Sequence, residues 1–159
     1  MSTTLSFELT YEATLPAVFT MLTDQSFREQ VCDAQGAVHR SVNIGGTPLK
    51  VVIERGQPTD SAPPIARRLV ASEVTVTQQE VWNSSTAAVV EISTHAPPVD
   101  VRGSASLTQN AGRTTQQLNL RISAKIPLVA SKVEKIVAEQ VRAAYQAEYE
   151  LGVAYLAER

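Results

Sequence analysis

The chain has 159 residues, 43% of them hydrophobic and 19% charged, with a formal net charge of −2. Such a length suits one domain, residues 1–159, with a single sizeable core, and so even a charge balance gives no electrostatic case for nucleic acid or an anionic membrane surface. No run approaches the ~18 apolar residues of a membrane-spanning helix, no basic-then-apolar leader opens the chain, and a lone Cys32 excludes an internal disulfide.

The opening "LSFELTY" alternates, with Leu5, Phe7, Leu9 and Tyr11 on one side, and predicts a half-buried strand. The period then lengthens. Pro16 suits a first helical turn with Thr14 near the cap, and Asp24 can cap a second short helix, "QSFREQVCDA", that stops at Gly36. "AVHRSVNI" and "PLKVVIER" flank Gly45-Gly46, a hairpin signal. From Gly56 onward Pro58, Pro63 and Pro64 predict a long loop, with one helical turn at Ile65–Leu69. Four further strands follow in hairpin sequence, and the last is the clearest: Leu118, Leu120, Ile122, Ala124 and Ile126 face inward while Asn119, Arg121 and Lys125 face out. After Pro127 comes about thirty residues of helical pattern, a rod of roughly 45 Å. Its start has two candidates, a capping box at Ser131-x-x-Glu134 and Pro127 itself as the first helical residue; either way Glu134 favours the helix N-terminus.

A seven-stranded antiparallel sheet hides one face only if something covers it, and the terminal helix alone is long enough. The sheet is therefore expected to curve around that helix, an α+β arrangement. This order of elements resembles the helix-grip fold of the START-like, or SRPBCC, superfamily, which includes the birch-pollen allergen and polyketide cyclase families. More narrowly, "IPLVASKVEKIVAEQV" and "EYELGVAYLAER" look like an uncharacterised, mainly actinobacterial branch of it, a domain of unknown function. The resemblance implies a cavity between sheet and helix, opening near the short helices, that holds a lipid, a polyketide or a similar hydrophobic molecule. Some members catalyse cyclisation or dehydration there, and fold alone does not choose between binding and catalysis.

On a helical wheel Val133, Val137, Val141, Ala144, Leu151 and Tyr155 fall within roughly 40° of one line. Glu148 lies in the middle of that stripe. A buried carboxylate needs a partner or takes up a proton. Glu148 is thus a candidate ligand anchor or acid/base facing the cavity. Two plainer readings stand beside it: a bend or early end of the helix that leaves Glu148 at a wet edge, or a structural pair with an arginine such as Arg102 or Arg121. Gly152, also inward, predicts close approach of the helix to the sheet or the short helices.

Trp82 ends an alternating set with Val74 and Val76, which predicts core packing or a place in the cavity wall. Gln78 and Glu80 share that phase and point inward unless a bulge intervenes. His95, at a strand end, is the better placed histidine for general-base work; His39 reads as solvent-facing. Cys32 reads as a small buried hydrophobe, and Arg67-Arg68 as either an anion contact or a solubilising pair.

The sequence therefore predicts a cytoplasmic binding module without metal or cofactor, making no integral membrane contact, whose partner is a small apolar or amphipathic molecule. Val133, Val137, Val141, Ala144, Glu148, Tyr155, Trp82 and Glu80 are the candidate ligand contacts. The alternative is a cyclase/dehydratase-type enzyme in which Glu148, with Glu80 or His95, supplies acid/base chemistry.

Overall fold

The computed structural model describes residues 2–60, 62–68 and 71–159. In chain order the elements are β1 (Thr3–Tyr11), α1 (Leu15–Leu22), α2 (Gln25–Ala34), β2 (His39–Gly45), β3 (Leu49–Pro58), α3 (Pro64–Arg67), β4 (Glu73–Ser84), β5 (Ala87–Thr94), β6 (Val99–Asn110), β7 (Arg113–Ala124) and α4 (Ala130–Ala157). The seven strands form one antiparallel sheet in the order β1-β7-β6-β5-β4-β3-β2. This is the helix-grip fold. The first strand closes onto the last, pairing Thr3 with Ile122 and Tyr11 with Thr114, so the two short helices cross from one edge of the sheet to the other.

Alternation sets the inner face. Leu5, Leu9 and Tyr11 of β1 and Leu118, Leu120, Ile122 and Ala124 of β7 are buried together. Against this edge α4 makes its closest packing with strands, touching β1 and β7, and it also rests on α1 and α2. Over the middle of the sheet it stands away, and that separation creates the cavity. Gly152 lets α4 come down on the short-helix side: a Cβ there would lie 2.8 Å from Tyr11 Cε1 and 3.1 Å from the Met21 sulfur.

Four boundaries differ from the sequence expectation. Strand β7 ends at Ala124, short of Ile126. Strand β3 runs on to Pro58, because β2 pairs only as far as Gly56 and the proline nitrogen meets no ladder partner on that side. The short helix in the loop is Pro64–Arg67, with both arginines exposed; Leu69 lies outside the described residues. Helix α4 starts at neither predicted residue. Its N-cap is Val129, without a side-chain capping bond, and Ser131 is already inside the first turn. Glu134 is instead buried, accepting hydrogen bonds from the Thr3 hydroxyl at 2.9 Å and the Ala124 backbone N–H at 3.0 Å. It ties the start of α4 to both β1 and β7, a long-range role that local spacing does not display.

Asp24 does cap α2: its Oδ1 accepts from the N–H groups of Ser26 at 2.9 Å and Phe27 at 3.4 Å. Its Oδ2 accepts from the Tyr155 hydroxyl at 2.7 Å, linking the cap to the far end of α4. Asp24→Ala is expected to cost about 1–2 kcal/mol in chemical denaturation, while Asp24→Asn, which keeps an acceptor, costs less. Equal losses in the two variants would show that capping contributes little.

Candidate functional site

A cavity of about 490 Å³ lies between α4, the inner faces of β3–β6 and the end of α2. Its wall is mainly apolar: Ile53, Val76, Ile92 and Val101 from the sheet, Val31 from α2, and Val133, Val137, Val141 and Ala144 from α4. The lining residues that reach solvent are Ala34, Gln140 and Ala143, with half-buried Thr59 and Ala62 beside them. They mark an opening between the end of α2, the middle of α4 and the loop after β3.

One side of the cavity is polar, and its members come from four elements. Arg28 of α2, Arg55 of β3, Gln78 of β4, and Tyr145 and Glu148 of α4 all line it. Arg28 is 2% exposed and forks onto Glu80, with Nη1 donating to Oε1 at 3.1 Å and Nη2 to Oε2 at 2.7 Å; Nη1 also donates to the Leu22 carbonyl. Its Nη2 stands 3.6 Å from Glu148 Oε1. Gln78 Nε2 and Trp82 Nε1 donate to the same Glu80 carboxylate at 2.8 and 3.1 Å.

The two acids therefore titrate differently. Burial alone would raise Glu80, but the Arg28 charge, the forked bonds and the donations from Gln78 and Trp82 together hold it below the usual carboxylate range. Glu148 is 2% exposed and, among the described residues, accepts no hydrogen bond, its Oε2 having no partner. Burial, opposed by Arg28 and assisted by Glu80, pushes its carboxyl up to about 6. Burial also lifts the phenols of Tyr145 and Tyr11, whose hydroxyls are likewise unpartnered. Arg28 stays charged: Glu80 and Glu148 outweigh the burial that would lower it.

The predicted site residues divide. Val133, Val137, Val141, Ala144 and Glu148 line the cavity. Glu80 and Trp82 are buried behind it: Glu80 is occupied by Arg28, and Trp82 packs edge-on against Phe19. No bulge intervenes before them, since the register shift in β4 comes later, between Trp82 and Ser84. Tyr155 is drawn away to Asp24 and packs on Phe27. His95 is exposed in the turn after β5 and is not part of the wall. Of the plainer readings of Glu148, the wet edge is corrected: the helix continues to Ala157 and Glu148 is buried. The pairing with an arginine is found, but the cation is Arg28 rather than Arg102, which pairs with Glu91 on the outer face, or the exposed Arg121.

Arg28 and Arg55 were not singled out from the sequence, although both carry a signal. In "QSFREQVCDA" Arg28 falls between Val31 and Cys32 on the wheel, as Glu148 falls within its own stripe. In "PLKVVIER" Arg55 shares the inward phase of Val51 and Ile53. Among the described residues no group of three or more His, Cys, Asp or Glu side chains could hold a metal ion. Nor is any helix among them long and apolar enough to cross a membrane.

Residues 6–156 match the family described as "Protein of unknown function (DUF2505)". The chain belongs to that family. No curated protein matches the sequence at a significant level. Among solved structures the DUF2505 chain is similar to the Zhui aromatase/cyclase from Streptomyces sp. R1128, at a TM-score of 0.71 and 12% identity over 98% of this chain and 93% of that one. TTHA0849 from Thermus thermophilus gives 0.69 and 12% over 96% and 99%. Norcoclaurine synthase from Thalictrum flavum gives 0.65 and 11% over 100% and 88%. At such identities the likeness establishes a shared fold.

Proposed function

We propose that this DUF2505 protein binds a small hydrophobic or amphipathic molecule, of lipid or polyketide kind, in the cavity between α4 and the sheet, and serves as a cytoplasmic carrier or sensor. The carrying observation is the wall itself: a space of about 490 Å³ whose sides are mainly valine, isoleucine and alanine, with polar groups gathered on one side. That is the usual make-up of a small-molecule pocket, where apolar area supplies affinity and a few fixed polar groups supply orientation.

The catalytic reading has less support. Acid/base catalysis of the cyclase/dehydratase kind asks for converging groups with matched pKa values. Glu148 is suitably raised, but Glu80 is held ionised under Arg28, and His95 is outside the wall. One titrating carboxyl remains.

Native mass spectrometry of the protein from its own host, compared with the same sample denatured, tests the binding reading. A discrete non-covalent mass is expected in the native spectrum, and Val101→Phe or Ala144→Phe, which fill the cavity, should abolish it without unfolding the protein. Retention of the same mass by both filled variants would place the ligand elsewhere. Once a ligand is known, Glu148→Gln separates binding from catalysis: affinity should change little, whereas an enzyme would lose orders of magnitude in rate.

A further inference from the structure

The two buried arginines have unlike surroundings. Arg28 has Glu80 in a fork and Glu148 beyond it. Arg55, 7% exposed and part of the cavity wall, has no carboxylate within ion-pair distance among the described residues. Its Nε donates to Gln57 Oε1 at 3.1 Å and its Nη1 to Gln78 Oε1 at 3.3 Å, and Nη2 makes no hydrogen bond among the described residues. Neutral amides orient a guanidinium without cancelling its charge. The neighbouring Cys32 thiol offers no anion, because burial pushes it up.

Both amides are themselves anchored. Gln57 Nε2 donates to the Gln35 carbonyl at 3.0 Å, and Gln35 Nε2 donates to the Ala144 carbonyl, also at 3.0 Å; Gln78 Nε2 is held by Glu80. The guanidinium is thus braced from α2, α4 and β4 and presented at an apolar cavity. A buried cation with no carboxylate in direct contact is costly to a fold, and braced in this way it is a preorganised anion receptor.

We propose that the cavity takes an amphipathic monoanion, an apolar body carrying one carboxylate, and that Arg55 receives the carboxylate. The inference rests on the apolar-ligand reading above and adds the polar group. A carboxylate matches the planar fork of arginine. A dianion fits poorly, because Glu80 and Glu148 stand in the same cluster and only one guanidinium makes no direct ion pair with them. Arg28 cannot serve as the receptor, since its fork is already filled by Glu80.

Dodecanoate and 1-dodecanol, equal in chain length and differing in charge, are suitable probes for calorimetric titration at pH 8. The wild-type protein is expected to bind dodecanoate about tenfold or more tightly than the alcohol, the size of a hydrogen bond to a charged group. Arg55→Gln should lose that preference while its affinity for the alcohol holds, and Arg55→Lys should keep part of it. Preference for the alcohol in the wild-type protein overturns the proposal whether or not the variants fold. An undiminished preference for dodecanoate in Arg55→Gln overturns it as well. In either case the apolar-ligand reading survives. If the wild-type protein binds neither probe, that reading fails and the carboxylate assignment fails with it.

Discussion

Arg28→Met is expected to cost about 3–5 kcal/mol of folding stability, the usual loss when one partner of a buried ion pair is removed. The size follows from what is left behind. Glu80 and Glu148 are 4% and 2% exposed, and without Arg28 only Arg55 remains in the cluster to oppose their charge. Both acids would then have folded-state pKa values above those of the unfolded chain. Their stabilising contribution is complete below the unfolded values and is lost as pH rises through the folded ones. The penalty in Arg28→Met should therefore be smaller at pH 5 than at pH 8. In the wild-type protein Glu80 behaves in the opposite sense: its depressed pKa supplies stability above the unfolded value that is lost on acidification. Urea denaturation at the two pH values measures the contrast. Adding Glu80→Gln to Arg28→Met should restore part of the loss, because the damage lies in an uncompensated charge rather than in a missing contact. A loss below about 1 kcal/mol, or strictly additive losses in the double variant, would mean that the cluster is solvated more than its burial implies.

How much of this was readable in advance depends on the range of each interaction. Period-two runs placed all seven strands, and the part of the stripe from Val133 to Glu148 follows the cavity side of α4, because alternation and helical phase are local properties of the chain. Glu148 stood out for the same reason, as a charge in an apolar stripe. Its cation did not. Arg28 lies 120 residues away in sequence on a different helix, and only the closing of the sheet around α4 brings the two together. Glu134 failed for a related reason: the spacing from Ser131 matches a local cap, yet its partners are Thr3 and the Ala124 backbone, supplied by two strands. Trp82 and Glu80 were correctly phased inward, but phase does not distinguish a cavity wall from the layer behind it. The depth of each side chain depends on what faces it, here Phe19 and Arg28.

Glu148→Gln should make the protein more stable above neutral pH, by up to about 2 kcal/mol. The carboxyl rises from an ordinary 4.5 to about 6 in the folded state, at about 1.36 kcal/mol for each tenfold change in proton affinity. A raised acid favours folding while it is protonated, below the unfolded value, and gives up that advantage as pH climbs through about 6. The groups facing it are Arg28 from α2, Glu80 from β4 and Arg55 from β3. Arg28 and Arg55 favour the ionised form, but burial outweighs them. Glutamine keeps the shape of the neutral acid and has no ionised form, so the variant and the wild type should agree well below pH 4.5, diverge between 4.5 and about 6, and keep the full difference above that. A Glu148→Gln protein less stable than wild type at pH 8 would show that the anion is favourable through Arg28 and that the cluster is structural. The expected result has a functional consequence. A gain of this kind would support the proposed place of Glu148 in a ligand site, because sites that bind or transform ligands are where folds carry such costs.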